Sequence, residues 1–174
     1  QQVALLPGSD LVVPLAALAA GRGVAVAFVG STAGALAAAE GALRAEVPEL
    51  RVAARIAPPF GFDPEGPEAD AILAGLAASG AGLCFVALGA PKQEILAARG
   101  RAALPGMGFV SVGAGLDFLA GEQRRAPRWM RRFALEWLWR LAWDPRRMAG
   151  RYLHCALVFP GHTARTLATR LRPE

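Results

Sequence analysis

Lys92, Gln93 and Glu94 stand together in LGAPKQE (88–94), directly after the apolar run LCFVALG (83–89). Gly89 allows the chain to turn sharply, and Pro91 suits the first position of a helix. The three polar side chains are therefore expected in a first helical turn, at the end of a buried strand. Glu94 favours that place because acids complement the helix dipole, whereas Lys92 opposes it, which argues against a purely structural role. Gln93 offers a donor and an acceptor, as sugar hydroxyls or an amide require. Two more stretches run from strand through a glycine turn into helix: VGSTAG (29–34), with Gly30 and Ser31, and VGAGLDF (112–118), with Gly113 and Asp117. Such turns point backbone N–H groups and a positive dipole end at a ligand, most often a phosphate. Asp117 has two readings, a helix N-cap or an acceptor for ribose hydroxyls or a base edge. Three such turns in one small domain suggest a nucleotide-like ligand.

The elements that must carry these residues alternate. VAVAFVG (24–30), RVAARIA (51–57), LCFVALG (83–89) and MGFVSVG (107–113) read as strands, the second the weakest. Helices are expected over 31–47, 68–79 and 92–104, with a Pro- and Gly-rich loop at 58–67. PGSDLVVPLAALAAG (7–21) reads as a further helix capped by Ser9 or Asp10. This alternation predicts an α/β fold, a Rossmann-like parallel sheet with helices on both faces. Residues 1–121 are expected to form that core and 122–174 a basic helical appendage. In the latter, a helix over 126–143 would carry Trp129, Phe133, Trp137 and Leu141 on one stripe.

Of the 174 residues, the 19 Lys and Arg are unevenly placed. Residues 1–121 hold 7 of them against 10 Asp and Glu, and residues 122–174 hold 12 against 4, together with all four tryptophans. A basic, aromatic tail predicts an anionic partner, such as a phospholipid surface or a nucleotide diphosphate. Cys84 and Cys155 have neither metal-ligand nor disulfide-framework spacing, and the apolar runs are short of the ~20 residues of a membrane span. A reduced, cytoplasmic setting is expected.

LGAPKQE, VGAGLDFLAGEQRRAPRWM and ALEWLWRLAWDPRRMAGRYL, in this order, resemble the WecG/TagA/CpsF glycosyltransferase family. PGSDL near the start, FVGS after the first strand and the FGF loop (60–62) fall where that family has similar residues. The resemblance covers nearly the whole chain. It implies an inverting transferase that moves an N-acetylmannosamine-type sugar from a UDP donor to a polyprenyl-diphosphate-linked acceptor, in cell-surface polysaccharide or teichoic-acid-type synthesis. It also implies peripheral attachment to the inner membrane face, with self-association of the chain a further expectation. Neither metal nor cofactor is expected. The leaving diphosphate then has to be met by cations and backbone N–H groups. Gln93 and Arg125, the latter in an RAP motif, are the implied catalytic residues. Gly30, Ser31, Gly61, Phe62, Gly89, Pro91, Lys92, Gln93, Glu94, Gly113, Asp117, Arg147 and Arg151 are the implied donor-site residues. The family's carboxylate base lies upstream of the PGSD segment, and this sequence starts at Gln1, so residues 1–174 alone are expected to transfer weakly. Asp10 could substitute, but a helix N-cap is its expected job, so the base is left unassigned.

Other function classes fare less well. A noncatalytic nucleotide-sugar-binding domain keeps the same site without the base. A nicotinamide-dependent oxidoreductase would need GxGxxG after the first strand and an acid closing the second, and has neither. Nucleic-acid binding lacks a helix-turn-helix or an RNP-like pattern.

Overall fold

A computed structural model of the chain describes residues 7–123, and beyond them 126, 127, 130, 135–143, 145, 150, 153 and 158. The chain divides into two compact units, Gln1–Arg124 and Arg125–Glu174. The first begins with α1 (Gly8–Gly21) and continues β1 (Val26–Gly30), α2 (Ala33–Glu46), β2 (Val52–Ile56) and α3 (Pro67–Ser79). β3 (Leu83–Ala87), α4 (Lys92–Ala103), β4 (Gly108–Ser111) and the short α5 (Gly115–Leu119) complete it.

The four strands form one parallel sheet in the order β2-β1-β3-β4. The chain leaves β1 toward one side for β2, then crosses back to place β3 on the other side. Right-handed crossovers moving in opposite directions put their helices on opposite faces. The packing follows this rule. Phe28 and Phe85, register partners with ring centroids 6.0 Å apart, face a cluster containing Val12 and Ala16 of α1, Leu36 and Leu43 of α2, and Leu116 of α5. Ala27, Val29, Cys84 and Val86 point the other way, onto Ile72, Leu73 and Leu76 of α3 and Leu96 of α4. Full burial of each phenylalanine contributes about 1.5–3 kcal/mol.

A strand covered on both faces reads as an unbroken apolar run, which is why β1 is buried at every residue. β2 lies at an edge and alternates half-buried with exposed residues, so its sequence signal is weaker. Its exposed Arg55 meets Glu40 of α2 at 3.1 Å.

Two helix starts differ from the sequence expectation. α1 is capped by neither Ser9 nor Asp10: Pro7, extended at φ −61° and ψ 140°, precedes a helix that already includes both residues. The early start seats Gly8 beside the end of β4, where a Cβ would lie 2.7 Å from the Ser111 carbonyl oxygen. Pro91 likewise precedes α4 as its N-cap rather than opening it, after a cis Ala90–Pro91 bond.

In the second unit, α6 (Glu136–Trp143) is an eight-residue helix. Leu135 stands outside it and its N–H donates to the Met130 carbonyl at 2.8 Å. The helix expected over 126–143 is thus interrupted at Leu135, and the stripe from Trp129 to Leu141 is not carried by one uninterrupted helix. Trp129 and Phe133 lie outside the described residues.

Candidate functional site

The strand order reverses between β1 and β3, and in an open parallel sheet the crevice expected beyond the carboxyl ends at such a point is the usual ligand position. Here the two strands are paired to their ends, Gly30 beside Ala87. The Ser31 N–H donates to the Ala87 carbonyl at 3.2 Å, and Gly30 has φ +124° with no room for a Cβ against that same carbonyl. Ser31 follows at φ +51°, a left-handed conformation that costs a non-glycine residue about 1–2 kcal/mol. Its hydroxyl donates to Oδ1 of Asp117, which joins the end of β1 to α5. Thr32 then caps α2, accepting the Ala35 N–H at 3.1 Å.

Asp117 is therefore not an N-cap. It is the third residue of α5, and its other carboxylate oxygen accepts from Gln123 Nε2 at 2.9 Å. Each carboxylate oxygen thus accepts from a protein side chain, one from the β1 end and one from the segment after α5.

Gln93 is the one buried polar side chain among the described residues, at 9% exposure. Its Oε1 accepts the Gly113 N–H at 3.1 Å and its Nε2 donates to Glu94 Oε1 at 2.8 Å. A single glutamine thus fixes the β4–α5 turn to the start of α4, with its donor and acceptor both engaged by the protein itself. Gly89, at φ +76°, makes the turn that brings α4 to this position.

Lys92 is half-buried and its ammonium donates to the Phe62 carbonyl. That bond draws the 57–66 loop against α4. Phe62 itself is buried under α3, in the core with Ala69 and Leu73, so its side chain is structural and only its carbonyl meets a site residue. Gly61 is exposed at φ +85°, and Phe60 beside it is fully exposed. The loop, not the Phe62 ring, is what borders the site.

Two participants escaped the sequence reading. Gln123 follows Gly121 in a stretch with no periodicity, and it reaches Asp117 only because the Glu122 and Gln123 N–H groups both turn back to the Asp117 carbonyl, at 3.1 and 3.3 Å. Arg99 left a signal, lying two helical turns after Lys92 on the same face. It donates to the Pro64 carbonyl at 2.6 Å and pairs with Asp70 at the start of α3, a second tie on the same loop. Arg125, Arg147 and Arg151, expected to face a diphosphate, lie outside the described residues, as do Arg124, Arg128 and Arg146. Cys84 is buried inside β3, and burial pushes its thiol up to about 12, which leaves no reactive thiolate near neutral pH. Among the described residues no three His, Cys, Asp or Glu side chains gather as a metal site would require, and no helix is long and apolar enough to cross a membrane.

Ser31, Gln93, Gly113 and Asp117, up to 86 positions apart, therefore meet at the carboxyl ends of β1, β3 and β4. The family model of the WecG/TagA/CpsF glycosyl transferases matches residues 1–173, and the chain belongs to that family. Its family places it among the glycosyltransferases of cell-surface polysaccharide synthesis, with a nucleotide-sugar donor and a lipid-linked acceptor.

Proposed function

We propose that this WecG/TagA/CpsF family member is an inverting transferase. It moves an N-acetylmannosamine-type sugar from a UDP donor to a polyprenyl-diphosphate-linked acceptor, without a metal, on the inner face of the cell membrane. The observation that carries this reading is the convergence just described. Ser31–Asp117 and Gln93–Gly113 tie three strand ends around one crevice, and both bonds involve residues of the family's motifs.

In the transfer, the acceptor oxygen forms a bond to the anomeric carbon while the bond from that carbon to the β-phosphate oxygen breaks. UDP departs with the electron pair, and the acceptor's proton passes to a base. Charge accumulates on the leaving diphosphate, so donors positioned there lower the barrier. The first turns of α2 and α4 supply N–H groups and positive dipole ends at this place. Lys92 can turn from the Phe62 carbonyl toward a phosphate, a stronger acceptor. Arg125, Arg147 and Arg151 are the proposed further cations. Asp117 would accept from donor hydroxyls, and Gln93 would hold the Gly113 turn against them.

Calorimetric titration with UDP and with NAD tests the site. UDP should bind and NAD should not; the opposite preference would overturn the reading. Transfer from a UDP-sugar to a polyprenyl-diphosphate acceptor, unchanged by a chelator, tests the reaction. Binding of UDP-sugar with no transfer would favour a noncatalytic nucleotide-sugar-binding domain.

A further inference from the structure

We propose that Gln123 is a positioning residue for this site, setting the orientation of the Asp117 carboxylate and, through it, the left-handed backbone of Ser31. The ligand it serves rests on the nucleotide-sugar reading; the positioning itself stands on geometry. An aspartate's terminal torsion is broad and nearly two-fold, so rotamer preference alone leaves the carboxylate plane undetermined. Here each oxygen has its own protein donor, Ser31 Oγ on Oδ1 and Gln123 Nε2 on Oδ2 at 2.9 Å. Two donors on opposite oxygens define the plane. An ionised carboxylate has about four acceptor directions, so each oxygen retains capacity for a ligand hydroxyl.

The backbone prepares this arrangement. The Glu122 and Gln123 N–H groups fold back onto the Asp117 carbonyl, at 3.1 and 3.3 Å, and so place residue 123 beside residue 117. The chain therefore closes on Asp117 twice, once by main chain and once by side chain. On the far side, Ser31 is held at φ +51° by its N–H bond to Ala87 and its hydroxyl bond to Asp117. Releasing Oδ2 lets the carboxylate rotate, and the hydroxyl of Ser31 then loses the partner that holds it.

The test uses Gln123→Ala, Gln123→Glu and Gln123→Asn in the full chain, with crystal structures, thermal midpoints and calorimetry against UDP and UDP-N-acetylmannosamine. Gln123→Ala should turn the Asp117 carboxylate away from Ser31 in the crystal and weaken ligand binding about tenfold, as expected for loss of one hydrogen bond to a charged group. Gln123→Glu should bind more weakly still, because it sets one carboxylate against another, and Gln123→Asn should fall short by one methylene and behave like alanine. The thermal midpoint should move little. An Asp117 geometry unchanged in Gln123→Ala overturns the proposal, as does unfolding of all three variants, which would make the role structural. If the unsubstituted chain binds neither UDP nor the UDP-sugar, the donor reading fails, and the crystal comparison still decides whether Gln123 positions Asp117.

Discussion

A methyl group added at Gly30 has nowhere to go. It would meet the Ala87 carbonyl of the neighbouring strand β3, in a backbone conformation that side chains rarely adopt. Gly30→Ala should therefore cost about 3 kcal/mol, combining overpacking with backbone strain, and lower the midpoint in denaturant titrations. Gln93→Ala acts differently. It leaves the Gly113 N–H without its acceptor, which should cost about 1–3 kcal/mol of stability and weaken UDP-sugar binding or turnover. Stability and turnover both equal to the parent would show that Gln93 does not hold the turn. Cys84 makes a prediction in pH. Its folded thiol is raised to about 12 from 9.0, so the stability it contributes is complete below pH 9 and is lost as pH rises toward 12. Thiol reagents at pH 8 should modify residue 84 only upon unfolding.

At the scale of elements, α4 does two things. Its first turn holds the β4–α5 turn through Gln93, while Lys92 and Arg99 together tie the 57–66 loop by its Phe62 and Pro64 carbonyls. Arg99→Ala removes the tie farther from the crevice and the partly exposed pair with Asp70, where a surface ion pair by itself contributes at most about 1 kcal/mol. The global thermal midpoint should hardly change, but hydrogen exchange in residues 57–66 should accelerate. Unchanged exchange there would mean that Lys92 and the buried Phe62 hold the loop without Arg99. Glycine at residue 100 serves the other end of α4. It lets the helix lie against the Phe109 ring of β4, where a Cβ would collide with the ring.

At the scale of the whole molecule, charge is segregated: residues 122–174 carry 12 Lys and Arg against 4 Asp and Glu. Each cation near an anionic leaflet contributes about 1 kcal/mol, so half of them would hold the chain at a membrane surface. Interfacial tryptophans would add to this. Co-sedimentation with anionic but not neutral vesicles is expected, with loss at high salt and on deletion of residues 145–174. Equal partitioning of the shortened and intact chains would refute the surface role of that segment.

What the sequence determined by itself is largely local. Strand and helix periods, the glycine turns and the polar first turn in PKQE depend on residues near one another, and they led to the parallel sheet, its two helical faces and the crevice at its end. The starts of α1 and α4, at Gly8 and Lys92, differ from expectation because close packing at Gly8 and the turn after Gly89, not capping preference, set where the helices begin. Tertiary structure alone decided who meets whom. Ser31 and Asp117 are 86 positions apart, and no periodicity couples them. The same holds for Gln93 with Gly113, Lys92 with the Phe62 carbonyl, and Gln123 with Asp117. Phe62 had the residue type of a ligand contact and the position of a core residue, a choice settled by the space beneath α3. Side-chain chemistry is written residue by residue, but a hydrogen bond between distant residues exists only once the sheet order has brought their strand ends together.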